Sequence, residues 1–270
     1  TDTELNNLLI LHKNKKFDEA EQLARSIAKR FPKHPFSWKV LGIALQQTGR
    51  ITESLTPIKK SVQLAPRDAE AHCNLGATLQ ELSRFDEAEE SCRKAIALKS
   101  DFAEAHNNLG NMLKELGRLD DAEASFTQAI ASKPDDAEAH SNLGNTLKEL
   151  GRLDEAEASY KHAITLNSEN LKAHNELLKC LYLLDKKSDF FDELDQLINR
   201  GKANAIIGSL SCRSALKYGL KKPNIFCKEP LKYVLHTDLN ARYDFEKVFT
   251  KKAKSILNKN QISNRRQSLL

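Results

Sequence analysis

The sequence predicts an all-α chain built as a stack of antiparallel helix pairs, on three observations. Gly42, Gly76, Gly110 and Gly144 recur at intervals of 34 residues. Three segments starting at Ala69, Ala103 and Ala137 are nearly identical: AEAHCNLGATLQELSRFDEAEE, AEAHNNLGNMLKELGRLDDAEA and AEAHSNLGNTLKELGRLDEAEA. Glycine (10) and proline (7) are scarce in a chain of 270 residues in which Ala, Leu, Glu and Lys dominate, a composition of helices rather than of a strand-rich sandwich. A fixed period of this length is the signature of a repeat architecture, whose units cannot bury their apolar face alone and must stack.

The frame divides the chain into full copies at 69–102, 103–136 and 137–170, weaker copies at 1–34 and 35–68, and a degenerate sixth copy from Leu171 to about residue 200. Each copy carries two helical patterns. In the first, Leu109, Met112, Leu113 and Leu116 fall at i, i+3, i+4 and i+7, one apolar stripe. In the second, Ala122, Phe126, Ala129 and Ile130 do the same. Gly117 separates them, as Gly49 and Gly151 do elsewhere, because a helix C-terminus favours a residue that tolerates positive φ. Asp120 and Asp121 open the next helix, where carboxylates suit the helix dipole. Pro32, Pro66 and Pro134 are expected to stop the second helices. Gly110 and Ala122 are both small, so the paired helices should approach closely there. At the ends of the array Leu8 and Leu178 replace the glycine, and Ser54 and Phe190 replace the alanine.

Beyond residue 184 the period fades. Ser188 is expected to cap a helix running to about Asn199. Asn204–Tyr218 reads as another, with Ile206, Ile207, Leu210 and Leu216 apolar, and residues 201–222 are taken as a capping segment over the exposed end of the stack. Residues 223–270 form a basic tail. Within it Tyr243–Asn258 is an amphipathic pattern with Phe245, Val248, Phe249, Ile256 and Leu257 on one side and Lys247, Lys251, Lys252 and Lys254 on the other.

The 34-residue helix–turn–helix unit, with Leu109 beside Gly110, Ala122 near the start of the second helix and a terminal Pro134, resembles the tetratricopeptide repeat. The resemblance covers about residues 1–200. It implies a right-handed superhelical α-solenoid whose first helices line a concave groove. Asn74, Asn108 and Asn142 would occupy one groove position per repeat, with Asn107, Asn111 and Asn145 nearby and Lys114 and Lys148 on the same helices. This pattern is similar to the asparagine-lined repeats of O-GlcNAc transferases, whose groove takes substrate or adaptor polypeptide. An amide offers one acceptor and two donors, so it can pair with both N–H and C=O of an extended backbone. Val40 and Glu176 interrupt the row at either end. The alternative is that these amides are solvated or bond between repeats. The mixture of Glu115 and Glu149 with Lys114 and Lys148 does not build a lysine clamp for a chain-end carboxylate.

The expected partner is therefore a protein or peptide in extended conformation. No cofactor and no metal is expected, and neither nucleic acid nor membrane. His72, His106, His140 and His174 also recur every 34 residues, but at a position where the resemblance implies a bulky packing residue, filled by Trp38 in the second copy. His236-Thr237-Asp238 matches part of an iron-binding triad, but no histidine follows to complete it. The basic tail lacks the aromatic interleaving of a base-stacking surface. There is no phosphate-cradling glycine loop and no GxSxG, so these residues are not expected to be an enzyme. The segment from Phe226 to Gln267 resembles the region leading into bacterial Fe(II)/2-oxoglutarate oxygenase domains. This leaves a second reading, the substrate-recruiting part of a longer oxygenase or glycosyltransferase. A third is a structural solenoid that self-associates weakly through its ends.

Charge is unevenly distributed. The formal net charge is +5, but residues 69–170 carry 20 acidic and 10 basic groups, and residues 171–270 carry 10 acidic and 20 basic. Mean hydropathy is −0.54, and no apolar run is long enough to cross a bilayer. Five scattered cysteines with no CxxC point to a reducing, cytoplasmic setting rather than a disulfide framework.

Overall fold

The computed structural model describes residues 2–202 and 204–219. They belong to two compact units, Thr1–Gln196 and Leu197–Leu270. In the first, α1 (Asp2–Lys13) pairs with α2 (Phe17–Arg30), α3 (Pro35–Gln47) with α4 (Ile51–Leu64), α5 (Ala69–Glu81) with α6 (Phe85–Leu98), α7 (Ala103–Glu115) with α8 (Leu119–Ser132), and α9 (Ala137–Glu149) with α10 (Leu153–Leu166). Two further helices follow, α11 (Leu171–Leu183) and α12 (Lys187–Asn199). No strand occurs among the described residues. Each second helix up to α10 packs on the first helix of its own pair and on the first helix of the next. First helices also touch one another across the repeats, from α1 to α11. The result is an all-α solenoid of antiparallel pairs, with the first helices side by side on one face.

The pairs are held by a glycine hole and a large knob 16 positions later. A Cβ at Gly42 would lie 2.2 Å from Ile58 Cγ1, one at Gly110 2.7 Å from the Phe126 ring, and one at Gly144 2.7 Å from the Tyr160 ring. The space at Gly110 is filled by the Phe126 ring, four positions beyond the small Ala122, which is itself fully buried. Ile58, Phe126 and Tyr160 are fully buried, each stabilising by roughly 1.5–3 kcal/mol over exposure. In the first pair the sizes are exchanged: buried Leu8 takes the glycine position, and Ala24 takes the knob position in the same cluster. The departure at Leu8 thus preserves the contact volume. Cores of adjacent repeats are continuous, since Ile58, Leu79, Cys92, Met112 and Phe126 belong to one buried cluster. Leu116 does not extend the expected stripe. It sits at the C-cap of α7, 39% exposed, because the helix has already ended.

The turn inside each pair places one residue at positive φ, at positions 15, 49, 83, 117, 151 and 185. Glycine fills three of them, Gly49, Gly117 and Gly151, and Lys15, Ser83 and Asp185 fill the others with φ of 56°, 57° and 59°. The turn between pairs does not depend on proline. α6 and α10 stop at Leu98 and Leu166, in the register of α4 and α8, although Ser100 and Ser168 stand where Pro66 and Pro134 do. What recurs is a ring N–H from the following first helix to the carbonyl at that position: Trp38 to Pro32 at 2.9 Å, His72 to Pro66 at 3.1 Å, His106 to Ser100 at 2.9 Å, His140 to Pro134 at 3.0 Å and His174 to Ser168 at 3.1 Å. A carbonyl only accepts, so each histidine donates from Nε2, and at His174 the other ring nitrogen, Nδ1, also meets Glu193.

Repeats are also linked by ion pairs at the start of the second helices. Arg118 reaches back to Glu89 (3.0 Å) and forward to Asp121 (2.7 Å). Arg152 does the same with Glu123 (2.5 Å) and Glu155 (2.6 Å), and Lys186 reaches back to both Glu157 and Asp154 (both 2.7 Å). Arg50 pairs with Glu21. The series skips Arg84, whose backward slot holds Leu55, packed on the apolar core instead. Burial alone would raise the carboxyls of Glu21, Glu89 and Glu157. Hydrogen bonds from Arg50 and Arg25, from Arg93 and Arg118, and from Lys161 and Lys186 outweigh it and hold all three below the usual carboxylate range.

α12 begins at Lys187, so Ser188 lies within its first turn rather than capping it. In the second unit the described part is α13 (Ala205–Lys217), capped by Asn204, whose side chain accepts from the N–H groups of Ile206 and Ile207. Ile207 and Leu210 are buried, whereas Ile206 and Leu216 are exposed, the latter at 71%, so only part of the expected apolar set is used. The tail pattern at Tyr243–Asn258 and the His236-Thr237-Asp238 motif lie outside the described residues.

Gly110→Ala should lower stability by about 1–3 kcal/mol in urea titrations, since an added methyl group overpacks a well-filled core. Phe126→Leu in the same chain should recover part of the loss. Ser83→Gly should raise stability by about 1 kcal/mol by relieving a left-handed non-glycine residue. Because the folded pKa values of Glu21, Glu89 and Glu157 are depressed, their contribution is present above the unfolded value of about 4.3 and is lost as pH falls through the folded values. The urea midpoint should drop on acidification below about pH 5, and Arg118→Gln with Lys186→Gln should flatten that drop.

Candidate functional site: the groove on the first-helix face

Side-by-side packing of α3, α5 and α7 leaves a concavity of about 430 Å³, lined among others by Gln46, Glu70, Asn74, Glu104 and Asn108, with His12 of α1 at its edge. A second hollow of about 590 Å³ continues from Phe102, Glu104 and Asn108 to Asn107, Asp136 and Glu138 at the start of α9. A third, of about 430 Å³, runs from Ala77 and Asn108 toward Glu81 and Glu115. Asn108 belongs to all three, so the hollows form one polar groove across the middle repeats.

The first-helix register brings Asn74 and Asn108 into this groove together, since 34 residues is one repeat and the local helix is identical in each. Asn107 lies in the adjoining hollow. Asn111, Asn142 and Asn145 are half-buried on α7 and α9. Several amides are oriented by their neighbours. Asn108 donates to Cys73 Sγ at 3.3 Å. Asn142 donates to Asn107 Oδ1 at 3.1 Å, and Tyr160 donates its hydroxyl to Asn145 Oδ1 at 2.8 Å. These bonds run between repeats or up from the core, so they hold the amides in place. Asn108 and Asn142 each keep a carbonyl oxygen and one N–H. Among the described residues, the Asn74 and Asn111 amides make no hydrogen bond.

Lys148 is engaged with Glu176 at 2.5 Å, and Glu176 also accepts from Lys179 at 2.6 Å. Lys114 stands 4.0 Å from both Glu115 and Glu149. Val40, which interrupts the amide row, is 1% exposed and serves the core.

The sequence reasoning left out a row of carboxylates. Glu70, Glu104 and Glu138 sit in the first turns of α5, α7 and α9, and all three line the groove. The signal was present: each is the Glu of the recurring AEAH. Glu104 stays exposed as a residue, but its carboxyl lies in the groove. Burial first, then the charges of Glu70, Glu138 and Asp136, push its pKa above the usual carboxylate value.

The buried cysteines are not poised nucleophiles. Burial pushes the Cys92 thiol up to about 12 and the Cys180 thiol up to about 11, and raises Cys73 further, so all three stay protonated. Among the described residues, no group of three or more His, Cys, Asp or Glu side chains could hold a metal ion. No described helix is long and apolar enough to cross a membrane.

Models of one family, described as tetratricopeptide repeat, match residues 69–102 and 107–170. These two stretches are tetratricopeptide repeats. No curated protein sequence matches it. Among solved structures, a thermophilic tetratricopeptide repeat protein of Thermus thermophilus is 25% identical, with 67% of this chain and 98% of that one covered at a TM-score of 0.57. PilW, a type IV pilus biogenesis factor, is 18% identical over 77% of this chain and 97% of its own, at a TM-score of 0.70. PilF of Pseudomonas aeruginosa is 24% identical over 68% and 84%, at a TM-score of 0.62. The last two share the fold. The first helices of these repeats carry amides at Asn74, Asn108 and Asn142, and carboxylates one turn before them.

Proposed function

We propose that the chain is a protein-interaction scaffold that holds an extended polypeptide along the first-helix face, with Asn74, Asn108 and Asn142 as the principal contacts and Asn107, Asn111 and Asn145 beside them. The observation that carries this reading is the groove shared by Asn74 and Asn108, polar, open and continuous across repeats. Amides with one free donor and one free acceptor match the alternating N–H and C=O of a strand, and fixing them through Cys73, Asn107 and Tyr160 removes part of the ordering cost of binding. Lys114 and Lys148 lie along the same helices, but Lys148 is committed to Glu176, which leaves the amides as the recognition groups.

The absence of a poised nucleophile among the buried cysteines, and the family to which the repeats belong, support binding rather than catalysis. Recruitment for a catalytic domain of a longer polypeptide would use the same groove and is compatible with this reading.

Each amide contact is worth about 0.5–1.5 kcal/mol net. Replacing Asn74, Asn108 and Asn142 together with Ala should therefore weaken capture of ten-residue peptides at least about tenfold, measured by fluorescence anisotropy, while the helical circular dichroism is retained and the urea midpoint falls only by the two inter-repeat bonds lost. N-methylation of alternate backbone amides in the same peptides should have an equal effect. Peptides that bind the triple variant as well as the parent would refute the backbone grip.

A further inference from the structure

We infer that the segment held in this groove is cationic, rich in lysine or arginine side chains. The inference rests on the reading that the first-helix face takes an extended polypeptide, and it names that polypeptide's chemistry.

At one end of the groove a first-helix carboxylate is neutralised by a lysine of the preceding first helix. Lys39, on α3, lies 2.8 Å from Glu70 and 2.9 Å from Asp68, both at the start of the next first helix. Moving one repeat along puts Cys73 at the lysine position and Glu104 at the glutamate position. One more puts Asn107 and Glu138 there. The carboxylates persist while the cation that would answer them is replaced by neutral groups. Glu104 and Glu138 accordingly have no ion pair among the described residues.

Nearby cations are otherwise engaged. Lys133 lies 3.5 Å from Asp136, and the Lys99 ammonium stands 5.1 Å over the Phe102 ring. Glu81 and Glu115 add further negative charge where the groove continues past Asn108. Burial first, and then the charges of Glu70, Glu138 and Asp136, which outweigh the opposing charge of Lys133, raise the pKa of Glu104. A cation placed between Glu104 and Glu138 would relieve that repulsion, as Lys39 does for Glu70.

On the second helices some carboxylates are paired across the repeats. Glu89, Glu123 and Glu157 each meet an arginine or lysine from the next repeat. Glu104 and Glu138 line the groove without an ion pair among the described residues, within a segment, 69–170, that carries twice as many acidic as basic groups. Amides would hold the guest backbone and carboxylates would select its side chains, so the two contributions can be tested apart.

The test uses the full chain and three acetylated, amidated ten-residue peptides alternating Thr with Lys, Gln or Glu, measured by calorimetry. The Lys peptide should bind most tightly and the Glu peptide least. Glu104→Gln with Glu138→Gln should weaken the Lys peptide by about threefold for each carboxylate removed and leave the Gln peptide unchanged. Glu90→Gln with Asp120→Asn, two exposed acids on the second helices, should change neither. Raising salt from 50 to 500 mM should erase the preference for Lys over Gln (about 14 Å and 4 Å screening lengths). Equal binding of the Lys and Gln peptides overturns the cationic selection and leaves the groove reading standing. Loss of Lys binding in the outer-face variant as large as in the groove variant overturns it as non-specific attraction. Binding of every peptide unaffected by loss of Asn74, Asn108 and Asn142 would defeat the groove reading itself. Self-association of the chain alone, abolished by the two groove substitutions, would assign the groove to a second copy and overturn the inference.

Discussion

The structure depends on how closely the two helices of a pair approach. At Gly42, Gly76, Gly110 and Gly144 the missing Cβ opens a hole, and Ile58, Cys92, Phe126 and Tyr160 fill it from the facing helix. Each glycine gives up some intrinsic helix propensity, about 1 kcal/mol relative to alanine. The buried knob outweighs this and fixes the spacing of the pair. Because the spacing is repeated, the first helices of successive pairs fall side by side in constant register. A groove lined by equivalent residues follows from that regularity.

Two further devices keep the register from drifting. The ring N–H of Trp38, His72, His106, His140 and His174 closes the turn before each first helix, and arginine or lysine at the start of most second helices reaches back to the previous repeat. The first is short-range and largely shielded, the second long-range and open to solvent and salt. The exchange of Glu for Leu55 at one junction shows that an apolar contact can stand in for an ion pair there. Stability in such an array is a sum of unit and neighbour terms, so a missing link at one junction is tolerated.

The groove chemistry overlays this frame without disturbing it. The amides occupy helix positions that face neither the core nor bulk solvent, and inter-repeat bonds from Asn108 to Cys73 and from Asn142 to Asn107 use part of their capacity. The inter-repeat bonding of the alternative reading occurs at Asn108 and Asn142, and it leaves a carbonyl oxygen and one N–H of each amide for the proposed guest. The carboxylates of Glu104 and Glu138 belong to the same surface, and their environment is set by the loss of the Lys39 counterpart one and two repeats along.

By itself the sequence determined the repeat length, the helix pairs, the glycine turns at Gly49, Gly117 and Gly151, and the row of asparagines, because all of these are periodic and local, and a period survives without coordinates. It could not show that the Phe126 ring fills the space at Gly110, that Ser100 ends a turn as well as Pro66, or that Leu116 falls outside the stripe. Those depend on which atoms two separate helices bring within a few ångströms of each other. The charge imbalance of the groove was likewise decided in three dimensions. Glu70 and Glu104 read alike in the sequence, and only the packing of one first helix against the next brings Lys39 to the former and Cys73 to the corresponding place beside the latter. Local pattern fixes which side chains recur; proximity across repeats fixes which of them are left to meet something else.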